Sequence, residues 1–124
     1  MQSLLHLNFG KPMKPYPFKF SPIAQERIWG GNKLNTILNK AFDGDQIGES
    51  WEISGVTKKP TRVANGSLEG KTLQELITLF KSDLVGKKVY DAFGSAFPLL
   101  IKFIDAKTPL SIQVHPNDLS LIHI

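Results

Sequence analysis

The sequence predicts a mainly β fold carrying one amphipathic helix near residues 72–86. Three observations predict it. Large apolar residues alternate with other residues over 16–20, 50–55 and 110–115, the period of a strand with one buried face. Residues 97–104, Phe-Pro-Leu-Leu-Ile-Lys-Phe-Ile, form a near-continuous apolar run of strand length. A strong helical period, with apolar residues three and four apart, appears in one segment only, after Thr72.

Taken in order, residues 1–12 show no clear period, and Gly10-Lys-Pro precedes a second methionine, Met13. They read as an extension ahead of the patterned chain, mis-called or loosely ordered, with Met13 as the natural start. Patterning then begins at once, with Tyr16, Phe18 and Phe20 set between Pro17 and Lys19. In 50–55 the apolar Trp51 and Ile53 alternate with Glu52 and Ser54, and Gly55 ends the strand. A short strand is expected over 61–64, followed by an Asn65-Gly66 turn. The helix is expected from Leu73 to about Val85. Thr72 and Glu75 make a capping box, in which the hydroxyl and carboxylate satisfy backbone N–H groups that the first turn leaves free. Leu73, Leu76, Ile77, Phe80 and Leu84 share one face, and Gly86 stands where a helix end favours positive φ. The runs 97–104 and 110–115, separated by the turn residues of 105–109, are expected to pair as an antiparallel hairpin.

Composition narrows the function classes. With 124 residues, 41% hydrophobic and 21% charged, the chain fits one small domain with a real core. No apolar run approaches the roughly 20 residues of a membrane helix, and the first residues lack the basic start of a signal peptide. The absence of cysteine excludes disulfides and thiolate metal sites. The expected address is cytoplasmic. The net charge of +4 is modest and unclustered, so neither a nucleic-acid nor a membrane partner is expected.

The strand over 110–115 carries the chemistry. Leu110, Ile112 and Val114 face one way, and Ser111, Gln113 and His115 face the other. Gln113 and His115, two residues apart, can converge on one metal ion. A strand with one solvated face gives the same alternation, so the pattern alone leaves both readings open. Lys102, set inside an apolar run, either snorkels to solvent or reaches a functional cavity.

Four ordered blocks then resemble one family. Residues 97–106 followed by Leu110-Ser-Ile-Gln-Val-His-Pro-Asn-Asp resemble the signature of type I mannose-6-phosphate isomerases. Glu26-Arg-Ile-Trp-Gly-Gly, Gly48-Glu-Ser-Trp-Glu-Ile-Ser and Leu68-Glu-Gly-Lys-Thr-Leu-Gln-Glu-Leu agree with it, the last with its short bacterial branch. The resemblance runs from about residue 15 to 118. It implies a cupin-type β-sandwich or jelly roll, incomplete here, around one zinc ion. Gln113 and His115 would be two of the zinc ligands, with a Glu and a distant His absent from this chain. It implies a sugar-phosphate pocket at Trp29, Glu49, Lys102 and Ser111, with Trp51 as a core neighbour. The implied reaction is the interconversion of mannose 6-phosphate and fructose 6-phosphate through an enediol; no residue is assigned the proton transfer.

The resemblance stops at Asp118. Residues 119–124, Leu-Ser-Leu-Ile-His-Ile, match the translation of a sequencing-library adapter and are expected to be read-through, leaving 13–118 as the N-terminal part of a cupin isomerase domain. That span keeps one histidine, His115, and so two metal donors; the chain alone is expected to be inactive. The alternative is a metal-free cupin module that binds a sugar phosphate without catalysis. A structural protein is the third reading, against which the polar row of Ser111, Gln113 and His115 argues.

Overall fold

The computed structural model of the chain describes residues 13–110 and Ile112. The elements run β1 (Phe20–Ser21), β2 (Ile23–Gly31), α1 (Lys33–Thr36), β3 (Ile47–Ser54), β4 (Arg62–Val63), α2 (Leu73–Phe80), α3 (Ser82–Val85), α4 (Lys87–Phe93) and β5 (Leu100–Ile104). Both sheets are antiparallel: a three-stranded one in the order β2-β3-β5, and a two-stranded one pairing β1 with β4. This agrees with the expected β architecture. No helix of the described residues is long and apolar enough to cross a membrane.

β3 is the centre of the larger sheet, and its burial differs from the alternation read in the sequence. Ser50 and Ser54 are fully buried, whereas Trp51 and Ile53 are only half-buried. The small polar residues are tolerated because their hydroxyls are used. Ser50 Oγ donates to Glu52 Oε1 at 2.7 Å, and Ser54 Oγ donates to the Lys59 carbonyl at 2.9 Å. The Thr61 hydroxyl accepts from the Ser54 N–H at 3.0 Å, closing the turn toward β4.

β2 does not pair evenly with β3. The register shifts between Gln25 and Glu26, and again between Glu26 and Gly31. Across the second shift the backbones approach so closely that a Cβ on Gly30 would fall 2.4 Å from the Gly48 nitrogen. Only glycine fits that crossing. Beyond it, the Asp105 carboxylate accepts from the Lys33 N–H at 2.8 Å, tying the end of β5 to the start of α1.

The second layer holds the apolar core: Val63, Leu68, Leu76 and Phe80, packed against Met13, Tyr16, Phe18, Phe20 and Leu84. The expected facing of Tyr16, Phe18 and Phe20 is correct, but only Phe20–Ser21 pairs as a strand. Pro15 and Pro17 leave few backbone donors there. The Tyr16 hydroxyl donates to the Asn65 carbonyl at 2.8 Å and accepts from the Leu68 N–H at 2.9 Å, holding the extended segment in place.

α2 starts at Thr72 as expected, with the hydroxyl accepting from the Glu75 N–H at 3.2 Å. The reciprocal half of the capping box is not made; the Glu75 carboxylate lies 3.6 Å from Lys71 Nζ. The helix ends at Phe80, five residues earlier than the pattern predicts, because Lys81 takes φ 54°. A separate turn, α3, carries Leu84 back to the core. α4 was not legible in the sequence: it has no fully buried residue, and its visible support is an exposed Lys87–Asp91 pair at 2.7 Å.

β5 pairs with β3, at the edge of the described sheet, with Ile101, Phe103 and Ile104 about half exposed. Its expected hairpin partner is not formed where it can be seen: Leu110 and Ile112 are in no strand. Residues 111 and 113–115 lie outside the described residues, as do the two end segments set apart above.

Leu76→Ala is expected to cost about 2–5 kcal/mol in urea unfolding, since it empties a site that is 1% exposed. Leu79→Ala, on the exposed side of the same helix, is expected to stay within about 0.5 kcal/mol.

Candidate functional site

The site grows from β3. In a strand, residues two apart share a face, so Glu49 and Trp51 stand side by side. The register puts Gln25 and Ile104 opposite Glu49, and Ile23 and Lys102 opposite Trp51. One face of the central strand therefore collects a carboxylate, an indole and an ammonium.

Glu49 is 3% exposed, and its two oxygens are taken up separately. Oε1 accepts from Lys102 Nζ at 2.8 Å. Oε2 accepts from the Trp51 indole N–H at 2.9 Å and, at 3.5 Å, from the Arg27 guanidinium. Burial by itself raises the Glu49 carboxyl. Hydrogen bonds from Lys102 and Trp51, with the charges of Lys102 and Arg27, more than offset it and hold the group below the ordinary glutamate value. Glu49 is thus an anion that organises cations.

Lys102 resolves the choice posed by its sequence. Its side chain is 29% exposed, and its ammonium turns onto the buried carboxylate. It keeps donors to spare, because an ammonium carries three and Glu49 Oε1 takes one. Lys59 joins from the loop after β3, with Nζ 2.8 Å from Gln25 Oε1 and 5.9 Å from the Trp51 ring centre. Arg27 and Lys102 thus flank one carboxylate, with Lys59 on the neighbouring Gln25 and Trp51, an arrangement suited to an anionic ligand.

Of the residues singled out from the sequence, the structure brings Glu49 and Lys102 together. Trp29 makes no hydrogen bond to Glu49 or Lys102: it is 7% exposed, and its ring lies with the Arg27 stem in the space of a side chain at Gly48. Ser111, Gln113 and His115 lie outside the described residues. Trp51 is a correction, for it is half exposed and bonded to Glu49 rather than a core neighbour. Gln25, Arg27 and Lys59 were not read from the sequence. The Glu-x-Trp spacing in a strand could have signalled Trp51; the partners on β2 and the loop depend on register and gave no signal. Two shallow grooves of about 590 and 520 Å³ run along 26–29, sharing Arg27 with the site but lined by neither Glu49 nor Lys102.

Comparison with known proteins places this arrangement. The family model for the phosphomannose isomerase type I catalytic domain matches residues 18–123. The chain belongs to the type I phosphomannose isomerases. Within that family it is 38% identical over 106 residues to mannose-6-phosphate isomerase ManA of Bacillus subtilis, covering 86% of this chain and 32% of the relative. It is 43% identical over 96 residues to the mannose-6-phosphate isomerase of Escherichia coli, covering 76% and 24%. The crystal structure of the mannose 6-phosphate isomerase from Bacillus subtilis superposes with a TM-score of 0.69 at 37% identity, over 85% of this chain and 32% of that one. The chain therefore spans about a quarter to a third of the length of the relatives it matches. Glu49, Trp51 and Lys102, like Arg27 and Lys59, all fall within the matched isomerase segment.

The low Glu49 titration has a signed consequence. Its ion pair contributes stability that is present above the unfolded glutamate pKa and is lost as pH falls through the lower folded value. Glu49→Gln is expected to be weaker at neutral pH by about 1–3 kcal/mol. Its urea midpoint is expected to flatten across the acid range where the wild-type midpoint falls.

Proposed function

We propose that this chain is the N-terminal part of a zinc-dependent mannose-6-phosphate isomerase, which interconverts mannose 6-phosphate and fructose 6-phosphate in the cytoplasm. The observation that carries the proposal is the buried Glu49 carboxylate holding the Lys102 ammonium on the central strand of an isomerase-family chain. Lys102, with Arg27 and Lys59 nearby, supplies the positive field that a sugar phosphate needs. Ser111, two residues before Gln113 in the sequence, would add a hydroxyl by family resemblance. Glu49 fixes Lys102 and keeps its charge. Trp29, buried against Gly48, supports the strand crossing beneath the pocket.

Zinc, with Gln113 and His115 as two of its ligands, is carried over from the family resemblance. Gln113 and His115 offer an amide oxygen and an imidazole, whereas a catalytic zinc takes about three protein ligands and keeps one position open. Among the described residues, no group of three His, Asp or Glu is placed to hold a metal. Gln113 and His115 alone fall short of that number. In the complete enzyme the remaining donors come from the part of the relatives' length that this chain does not span. A zinc held there would act as a Lewis acid on the enediolate oxygens.

The test joins this chain to whatever coding sequence follows Asp118 in its genomic source, and measures conversion of mannose 6-phosphate by both forms, freed of host isomerase. The joined form is expected to turn over in a zinc-dependent way, and the 124-residue chain to show none. Lys102→Met in the joined form is expected to lower kcat/KM at least tenfold. Turnover by the short chain would sink the reading, and a joined form without metal donors would leave a metal-free sugar-phosphate module.

A further inference from the structure

We propose that Trp51 is a positioning residue of this site: its indole N–H fixes the Glu49 carboxylate and, through it, the orientation in which Lys102 meets a sugar phosphate. The ligand in that statement rests on the isomerase reading; the hold on Glu49 and Lys102 rests on geometry.

Glu49 has two oxygens and one free terminal torsion. Lys102 binds Oε1, so whatever binds Oε2 sets the plane of the carboxylate and with it the place of the ammonium. The indole does so at 2.9 Å, while the only other donor there among the described residues, Arg27, is at 3.5 Å from a side chain that is 38% exposed. Without the indole, Oε2 keeps a long bond to a partly exposed partner, and the carboxylate and Lys102 can swing together.

Trp51 is itself held from two sides. Ile23 and Lys102 flank it in the register. Lys59 stands 5.9 Å from its ring centre, tied at 2.8 Å to Gln25, which is 3% exposed. Gln25 turns its carbonyl oxygen to Lys59, and its Nε2 has no partner among the described residues. A side chain serving only to fill space would need neither the N–H contact nor the cation over its ring. Phenylalanine has similar bulk, whereas indole alone among the apolar rings supplies a buried N–H donor.

The experiment uses the ¹⁵N-labelled 124-residue chain. It has two tryptophans, so the resonance lost in Trp51→Phe identifies the indole. In the wild type that resonance is expected to follow the Glu49 titration, with a midpoint below the ordinary glutamate value, and to stop doing so in Glu49→Gln. Lys59→Gln, which removes no bulk from the sheet, is expected to shift the same resonance and keeps the test open if Trp51→Phe fails to fold. In Trp51→Phe the Glu49 midpoint is expected to rise and the Lys102 side-chain signal to lose its distinct position. An indole indifferent to Glu49, or a Lys102 signal unchanged by Trp51→Phe, overturns the proposal. Mannose 6-phosphate is then titrated into the joined form and its Trp51→Phe variant, with about tenfold weaker binding expected for Trp51→Phe. The first readouts need no ligand. Failure of the joined wild-type form to bind mannose 6-phosphate would therefore count against the isomerase reading, while equal affinity in the two joined forms would overturn the role of Trp51.

Discussion

A carboxylate buried to 3% on the central strand of a sheet is tolerable only while both oxygens are occupied by good donors. Glu49 meets that condition with an ammonium and an indole N–H, and much of the local structure follows from it. β5 must lie beside β3 in a register that brings Lys102 level with Trp51, because a slip of one residue would turn Lys102 to the other face. β2 must close the other edge and lend Arg27 and Gln25. The cost of burying the charge is offset by the geometry, so the same interaction that holds the strands together also aims a cation.

Glu49, Trp51 and Lys102 are built on strands, and this bears on their precision. β3 is paired on both edges and β5 on its β3 side, so the three residues keep their relative positions without induced order. The double register shift in β2 and the close Gly30–Gly48 approach bend that strand over β3. Trp29 and the Arg27 stem pack together over Gly48, and the Arg27 guanidinium reaches Glu49 from there. Asp105 completes the frame by linking the end of β5 to α1.

The apolar core sits apart from this chemistry. Val63, Leu68, Leu76 and Phe80 pack in the layer formed by β1, β4 and α2, with the N-terminal aromatics laid over them. Residues of β5 such as Phe103 and Ile104 remain half exposed on the larger sheet.

What the sequence determined by itself was whatever depends on neighbours along the chain. The cap at Thr72, the apolar face of α2, the positive φ of Gly66 and Gly86 and the strand over 50–54 are local, and they were legible. So was the family, since ordered blocks survive in the residue string, and with it the choice of Glu49 and Lys102. Tertiary structure decided what depends on register. It turned Ser50 and Ser54 inward, ended the helix at Lys81 and paired β5 with β3. It also brought Arg27 to Glu49 and Lys59 to Gln25 and Trp51, and made Trp51 a donor where the pattern had only an apolar ring. Alternation says which residues share a face, but only the pairing of strands far apart in the chain says what that face meets.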